Sequence, residues 1–243
     1  PTMTPQMEGL YRALEVEYGG QRHEAHVHNE ARGLLQGVQE RAELCFHAAA
    51  AILTPANGVA PEAAAVFGLS CLERLVVRWN ELGDDQKLAV RSTATQAATR
   101  TSESEASFVR NKKAAVVAQV ALREFPQRWP GLVEELMHAD SSGETRDARL
   151  ELAFLALAEL AEDCTDADYN TRVPAKRRTE VLKALNAVAP GLTVELFGFA
   201  RRAYVSRTTT RSPGSRRLVC ALKCVRDMAT WICWESDAVK AAG

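Results

Sequence analysis

No stretch of this chain alternates apolar and polar residues with a period of two over a useful length; its apolar residues recur every three or four positions. A period near 3.6 puts side chains on one helix face, whereas a period of two marks a half-buried strand. The pattern therefore predicts an all-α protein. Composition agrees: hydrophobic residues make up 47% and aromatics only 6%. Most of the apolar share is Ala, Leu and Val, and the first two are among the best helix formers.

Prolines and glycines divide the pattern into helices. Residues 7–18 are expected to form a short helix closed by Gly19-Gly20, which supply the positive φ that ends a helix cheaply. A second helix is expected from about residue 22 to 53, then a loop over 55–61 (PANGVAP). Pro61 suits the first position of a helix over 61–82, whose stripe is Leu69, Leu72, Val76 and Trp79. A helix of roughly 84–98 follows, then a polar loop near 99–107 and a helix over about 105–125 stopped by Pro126. Pro130 opens a short helix to about His138, and 139–144 read as a loop. Residues 145–163 are apolar nearly all round, as in a helix packed on both sides. Residues 174–205 read as a helix pair or a bent helix, broken near Pro190-Gly191. A basic linker is expected near 206–217, and a last helix over about 216–235.

The helices pair as long-then-shorter units whose first members start near residues 61, 105, 144 and 216. Such spacing suits a two-helix repeat of ~40–47 residues with one lengthened unit. A two-helix unit cannot bury its own apolar face, so it must stack on neighbours. Periodicity alone leaves an α-solenoid and a helix bundle both open.

Charge is divided unevenly. Residues 1–170 carry 16 Lys+Arg against 26 Asp+Glu, net −10, whereas residues 171–226 carry 13 against 2, net +11. That split fits two partners on two surfaces, or simply solvated helix faces. The six cysteines lie mostly in apolar helical patterns with no CxxC pair, which fits core packing in a reducing compartment. No apolar run reaches the ~18 residues that span a bilayer, so no membrane insertion is expected. His23, His26 and His28 do not share one helix face and lack an acidic or Cys partner at zinc spacing, so no metal is expected. No phosphate-binding glycine loop, nucleophile elbow or HExxH motif occurs; no catalytic residues and no cofactor are expected.

The most specific stretch is Asn111–Pro130, NKKAAVVAQVALREFPQRWP. Pro126 ends one helix and Pro130 begins the next, so Gln127 and Arg128 must make the corner. Phe125 and Trp129 flank that corner and are expected to wedge between the helices. Arg123, Glu124 and Arg128 are placed to bond the backbone groups left open there. The segment resembles one found early in the exportins, receptors of the importin-β (karyopherin) superfamily. The resemblance lies in Lys112, Ala118, Val120, Arg123, Glu124, Pro126, Gln127, Arg128, Trp129 and Pro130. Phe125 stands where the family usually has Trp, which keeps the wedge and loses an indole N–H.

Four further blocks resemble the family in the same order. Residues 67–88 carry Phe67, Gly68, Leu69, Leu72, Glu73, Val76, Arg78, Trp79 and Asn80, one residue short before Arg78. The others are 157–164, the stretch from Val173-Pro174 through Lys176-Arg177-Arg178, and 216–234. Together they cover about residues 67–234.

The resemblance implies an α-solenoid of HEAT repeats, with residues 1–243 as the N-terminal region of a longer receptor, about five repeats. It implies a non-enzymatic carrier that binds Ran-GTP, shuttles between nucleus and cytoplasm and meets nucleoporins. Cargo in part of the family is structured RNA, such as pre-microRNA or tRNA, or an RNA-binding protein. The second helix of each pair lines the concave side in this family, which points to Lys87, Arg91, Glu134 and Glu135 as Ran contacts. Lys176, Arg177, Arg178, Arg201 and Arg202 are the RNA candidates, as each neutralised phosphate adds salt-dependent affinity. A generic HEAT-repeat scaffold, or an RNA-binding module centred on 171–226, are the alternatives.

Overall fold

A computed structural model describes residues 5–54, 62–137, 144–165, 173–209 and 213–231. Among them lie α-helices and one 3-10 turn, and no strand. The chain divides into two compact units, residues 1–97 and 98–243.

The first unit holds α1 (Pro5–Tyr18), α2 (Ala25–Glu40), α3 (Ala42–Leu53), α4 (Glu62–Val77) and most of α5 (Asp84–Thr99). α1 ends as expected, with the Gly19 N–H donating to Glu15 O at 2.7 Å and Gly20 at φ +72°. The Arg32 guanidinium of α2 bonds the Glu17 carboxylate of α1 at 2.7 Å, and His28 lies 3.3 Å from the other oxygen. These bonds, Arg32 first, hold the Glu17 carboxyl below the usual range.

The single helix expected over 22–53 is two helices. Arg41 takes extended dihedrals (φ −108°, ψ 120°) and separates α2 from α3. No proline or glycine marks that break. Cys45 compensates it, its thiol donating to Val38 O and Gln39 O at 3.4 Å each. α3 packs on α4, where a Cβ on Gly68 would lie 3.0 Å from Leu53 Cγ and 3.2 Å from Ile52 Cγ2. Glycine is what lets these helices approach. The predicted stripe Leu69, Leu72, Val76 and Trp79 is buried throughout, and α4 closes in a 3-10 turn over Trp79–Glu81.

The second unit is built around α8 (Glu144–Thr165), which packs on α6 (Ser107–Glu124), α7 (Leu132–Met137), α9 (Ala175–Thr209) and α10 (Pro213–Trp231). That is why α8 is apolar nearly all round. Phe154 of α8 meets Phe199 of α9 with ring centroids 5.7 Å apart.

Three expectations are corrected here. The break near Pro190-Gly191 is absent: α9 runs unbroken for 35 residues with Pro190 inside it. A mid-helix proline costs ~3 kcal/mol, but Val181, Leu185 and Ala189 before it and Leu192, Leu196 and Phe199 after it are all buried. One continuous packed face outweighs the local penalty. The linker near 206–217 is mostly helical, since α9 extends to Thr209 and α10 begins at Pro213. Residues 210–212, the loops 55–61 and 138–143, and 232–243 with Cys233 and Trp234 lie outside the described residues. Finally, Ala175–Val205 is long and apolar enough, by length and composition, to cross a membrane. One face of that segment is packed on α8 and α10.

Candidate partner interface

The FPQRWP corner is a closed joint. α6 ends where the Phe125 N–H donates to Ala121 O at 2.8 Å, and Phe125 then turns extended (φ −79°, ψ 138°). The Phe125–Pro126 peptide is cis. The N–H groups of Arg128 and Trp129 both donate to Glu124 O, at 2.7 and 3.1 Å. Phe125 and Trp129 are 3% and 1% exposed, so the aromatic wedge is real. α7 starts at Leu132, two residues after Pro130.

The open carbonyls of this corner are met from a helix some fifty residues further along the chain. Arg123 donates to Gln119 O on its own helix, at 2.9 Å. Arg177 of α9 supplies these bonds. Its Nε donates to Leu122 O at 3.1 Å, and its two terminal nitrogens reach Phe125 O and the Gln127 side-chain oxygen. Gln127 in turn donates to Glu180 at 3.1 Å. Burial lowers the Arg177 guanidinium pKa, and Glu180 opposes the shift. The planar fork suits this three-way bond; an ammonium would not.

A second polar joint ties down the connection between α5 and α6. Arg110, 1% exposed, pairs with Glu151 of α8 at 2.6 Å and donates to Glu105 O at 2.6 Å. Glu105 also takes Lys113 Nζ at 2.5 Å and Thr101 Oγ1 at 2.8 Å. Arg149 of α8 donates to Thr99 O at 2.7 Å. From α10, Arg217 pairs with Glu103 and lies 3.4 Å from Asp147. Arg217, at the end of the stretch expected as a basic linker, is 5% exposed and internally paired. Sequence reasoning missed these residues because they look like ordinary surface charges. The signal was a cation set inside an apolar stripe, Arg110 beside Val109 and ahead of Ala114.

The candidate Ran contacts fall in both units. Lys87 and Arg91 sit half-buried on α5, Lys87 lying 3.7 Å from Asp84. Glu134 and Glu135 are exposed on α7. All five RNA candidates lie on α9 but do not form one patch. Arg177 and Arg201 are 24 residues apart, about 36 Å at 1.5 Å per residue. Lys176, Arg201 and Arg202 are exposed, Arg202 reaching Asp147 at 3.4 Å, while Arg177 and Arg178 are half-buried. Exposed Lys183 stands one face along from Lys176 at helical spacing and was not singled out in sequence. Asn80 is exposed beside buried Trp79.

Helix pairs joined by closed corners, with no strand among the described residues, define a helical-repeat protein of the HEAT solenoid class. Residues 106–235 match the model of the exportin 1-like protein family, and the chain belongs to that family. Exportin-5 of Dictyostelium discoideum is 25% identical over 166 residues, 67% of this chain and 14% of that protein. Exportin-5 of Homo sapiens is 30% identical over 116 residues, 46% of this chain and 9% of that protein. For exportin-5 of Mus musculus the figures are 29% over 123 residues, 49% and 10%. The chain thus spans 9–14% of the length of these relatives.

Proposed function

We propose that this chain is the N-terminal region of a nuclear export receptor that binds Ran-GTP and carries structured RNA, or an RNA-binding protein, from nucleus to cytoplasm. It works as a carrier, not a catalyst, and it shuttles between the two compartments, passing nucleoporins on the way. The observation that carries the reading is the family match over 106–235, which contains the FPQRWP corner.

Charge supports the division of labour. The acidic first 170 residues favour a partner with basic surfaces, as steering requires. On the second unit, exposed Glu134 and Glu135 offer two carboxylates for Ran, and Lys176 with Lys183 offers phosphate contacts on α9. With few aromatics, RNA contact falls on backbone and shape rather than on base edges.

The test is a pull-down of the full-length receptor with Ran locked in its GTP form, with hairpin RNA present, and Ran-GDP as control. Retention of Ran-GTP together with RNA is expected. No retention leaves a HEAT scaffold that works without Ran. Tight, salt-sensitive RNA binding by residues 1–243 alone points instead to an autonomous RNA module.

A further inference from the structure

Two thiols meet where α3 packs on α4. Cys45 lies on the buried face of α3 with Ala48, Ala49, Ile52 and Leu53, and Cys71 on that of α4. Gly68, one turn before Cys71, is what lets the two helices approach. The thiols are hydrogen-bonded to each other. Cys45 also donates to Val38 O and Gln39 O, across the break at Arg41. The contact with Cys71, then Arg74 and Arg78, hold the Cys45 thiol below its ordinary value against the effect of burial. The same contact and burial push Cys71 up. An open cleft of about 640 Å³ reaches this place. Gln39, whose carbonyl takes the Cys45 thiol, lines it with Ser70, Arg74, Val77 and Arg78.

We propose that Cys45 and Cys71 are a modification site for hydrogen peroxide, which joins them in a reversible disulfide and loosens the joint between α2 and α3. A thiol favoured as thiolate, next to a second thiol that can resolve it, is the arrangement such oxidation needs. The Cys45 sulfur attacks one peroxide oxygen: the S–O bond forms, the O–O bond breaks, and the departing hydroxide leaves as water with the Cys45 proton. The Cys71 sulfur then attacks Cys45: the S–S bond forms, the S–O bond breaks, and a second water leaves with the Cys71 proton. The two sulfurs together give two electrons to the peroxide, and a dithiol reverses the bridge by exchange. Once bridged, Cys45 has no S–H left for Val38 O and Gln39 O at the end of α2. Cys220 and Cys224 form the contrasting pair. The contact with Cys224, burial and Glu151 all push the Cys220 thiol up. Both lie on α10, and side chains four apart on a helix have Cβ atoms about 5–6 Å apart, wider than the ~3.8 Å of a disulfide.

The chain is treated with hydrogen peroxide, unfolded in N-ethylmaleimide and digested with trypsin without reductant. Residues 42–73 contain no Lys or Arg, so both cysteines stay on one peptide, 42–74. That peptide should lack both maleimide adducts and be lighter by two hydrogens, and dithiothreitol should restore the adducts. Cys164, Cys220 and Cys224 should keep theirs. Cys71→Ser should stop at a Cys45 sulfenic acid that dimedone captures. Cys45→Ser, whose hydroxyl keeps a donor for Val38 O and Gln39 O, should give neither product. In the bridged chain, amide exchange of residues 38–45 should speed up by about ten-fold or more and recover with dithiothreitol. Peptide 42–74 recovered with both adducts overturns the proposal, as does its linkage to any other peptide. Oxidation of Cys220 and Cys224 at the same rate overturns it too, because the cleft and its two arginines then select nothing. A bridged chain with unchanged exchange overturns the loosening of the joint.

Discussion

Arg177 Nε donates to the carbonyl oxygen of Leu122 at 3.1 Å, joining α9 to the last turn of a helix that ended 55 residues earlier. The same guanidinium reaches Phe125 O and Gln127, so one cation satisfies the C-terminal end of α6 and its corner together. Helix ends leave carbonyls open, and these are met from another helix. Arg177 is therefore a positioning residue for the corner.

Replacing it tests this. Arg177→Ala should lower stability by about 1.5–3 kcal/mol, the range for hydrogen bonds to a charged group. Arg177→Lys should recover little of that loss, because an ammonium lacks the fork. Urea denaturation of residues 1–243 measures both, and an unchanged midpoint for Arg177→Ala would remove the joint from the account.

The Arg110–Glu151 pair, at 2.6 Å and almost wholly buried, should behave asymmetrically. Arg110→Ala leaves a buried carboxylate and should cost about 3–5 kcal/mol. The double variant Arg110→Met, Glu151→Met should be considerably more stable than Arg110→Ala. Chemical denaturation of the three proteins compares them; a double variant no better than the single would show that packing, not charge, sets the cost.

Gly68 and Gly33 should respond in opposite directions to alanine. At Gly68 the new methyl meets Leu53 and Ile52 at 3.0–3.2 Å, and overpacking of this kind costs ~1–3 kcal/mol. At Gly33, inside α2, nothing lies within 4 Å of a Cβ, so helix propensity should add about 0.5–1 kcal/mol. Thermal unfolding of the two single variants decides the matter by sign alone.

Burial, assisted by Asp163, pushes the Cys164 thiol from 9.0 to about 12, with Arg178 and Arg177 opposing. The unfolded thiol then ionises first as pH rises, so the unfolded state binds fewer protons and stability falls. The loss should run between pH 9 and about 12, at up to about 1.4 kcal/mol per pH unit. Cys164→Ala should flatten that alkaline limb in denaturation curves, and below pH 9 native Cys164 should resist iodoacetamide.

Much of the helical layout was legible in the sequence. The stripe Leu69–Trp79, the end of α1 at Gly19-Gly20 and the FPQRWP corner follow from periodicity, glycine and proline, each a local effect. Where sequence reasoning went astray, a side-chain contact or a packed face had overruled a local preference. Arg41 breaks a pattern that no proline marks, and the Cys45 thiol donates to the freed carbonyls of Val38 and Gln39. Pro190 stays inside a helix because buried side chains on both sides of it share one packed face.

The partner surfaces divide the same way. The basic run of 171–226 could be counted directly, yet the count could not say which cations face water. α9 turns Lys176 and Arg201 outward, Arg177 inward to the corner, and α10 draws Arg217 onto Glu103 and Asp147. The order of amino acids determined an all-α protein, because helix periodicity and proline placement act within a few residues, and its ordered motif blocks carried the resemblance to the exportins. Only the tertiary structure decided which charges are joints and which are free for a partner, because burial and pairing join residues fifty to seventy positions apart.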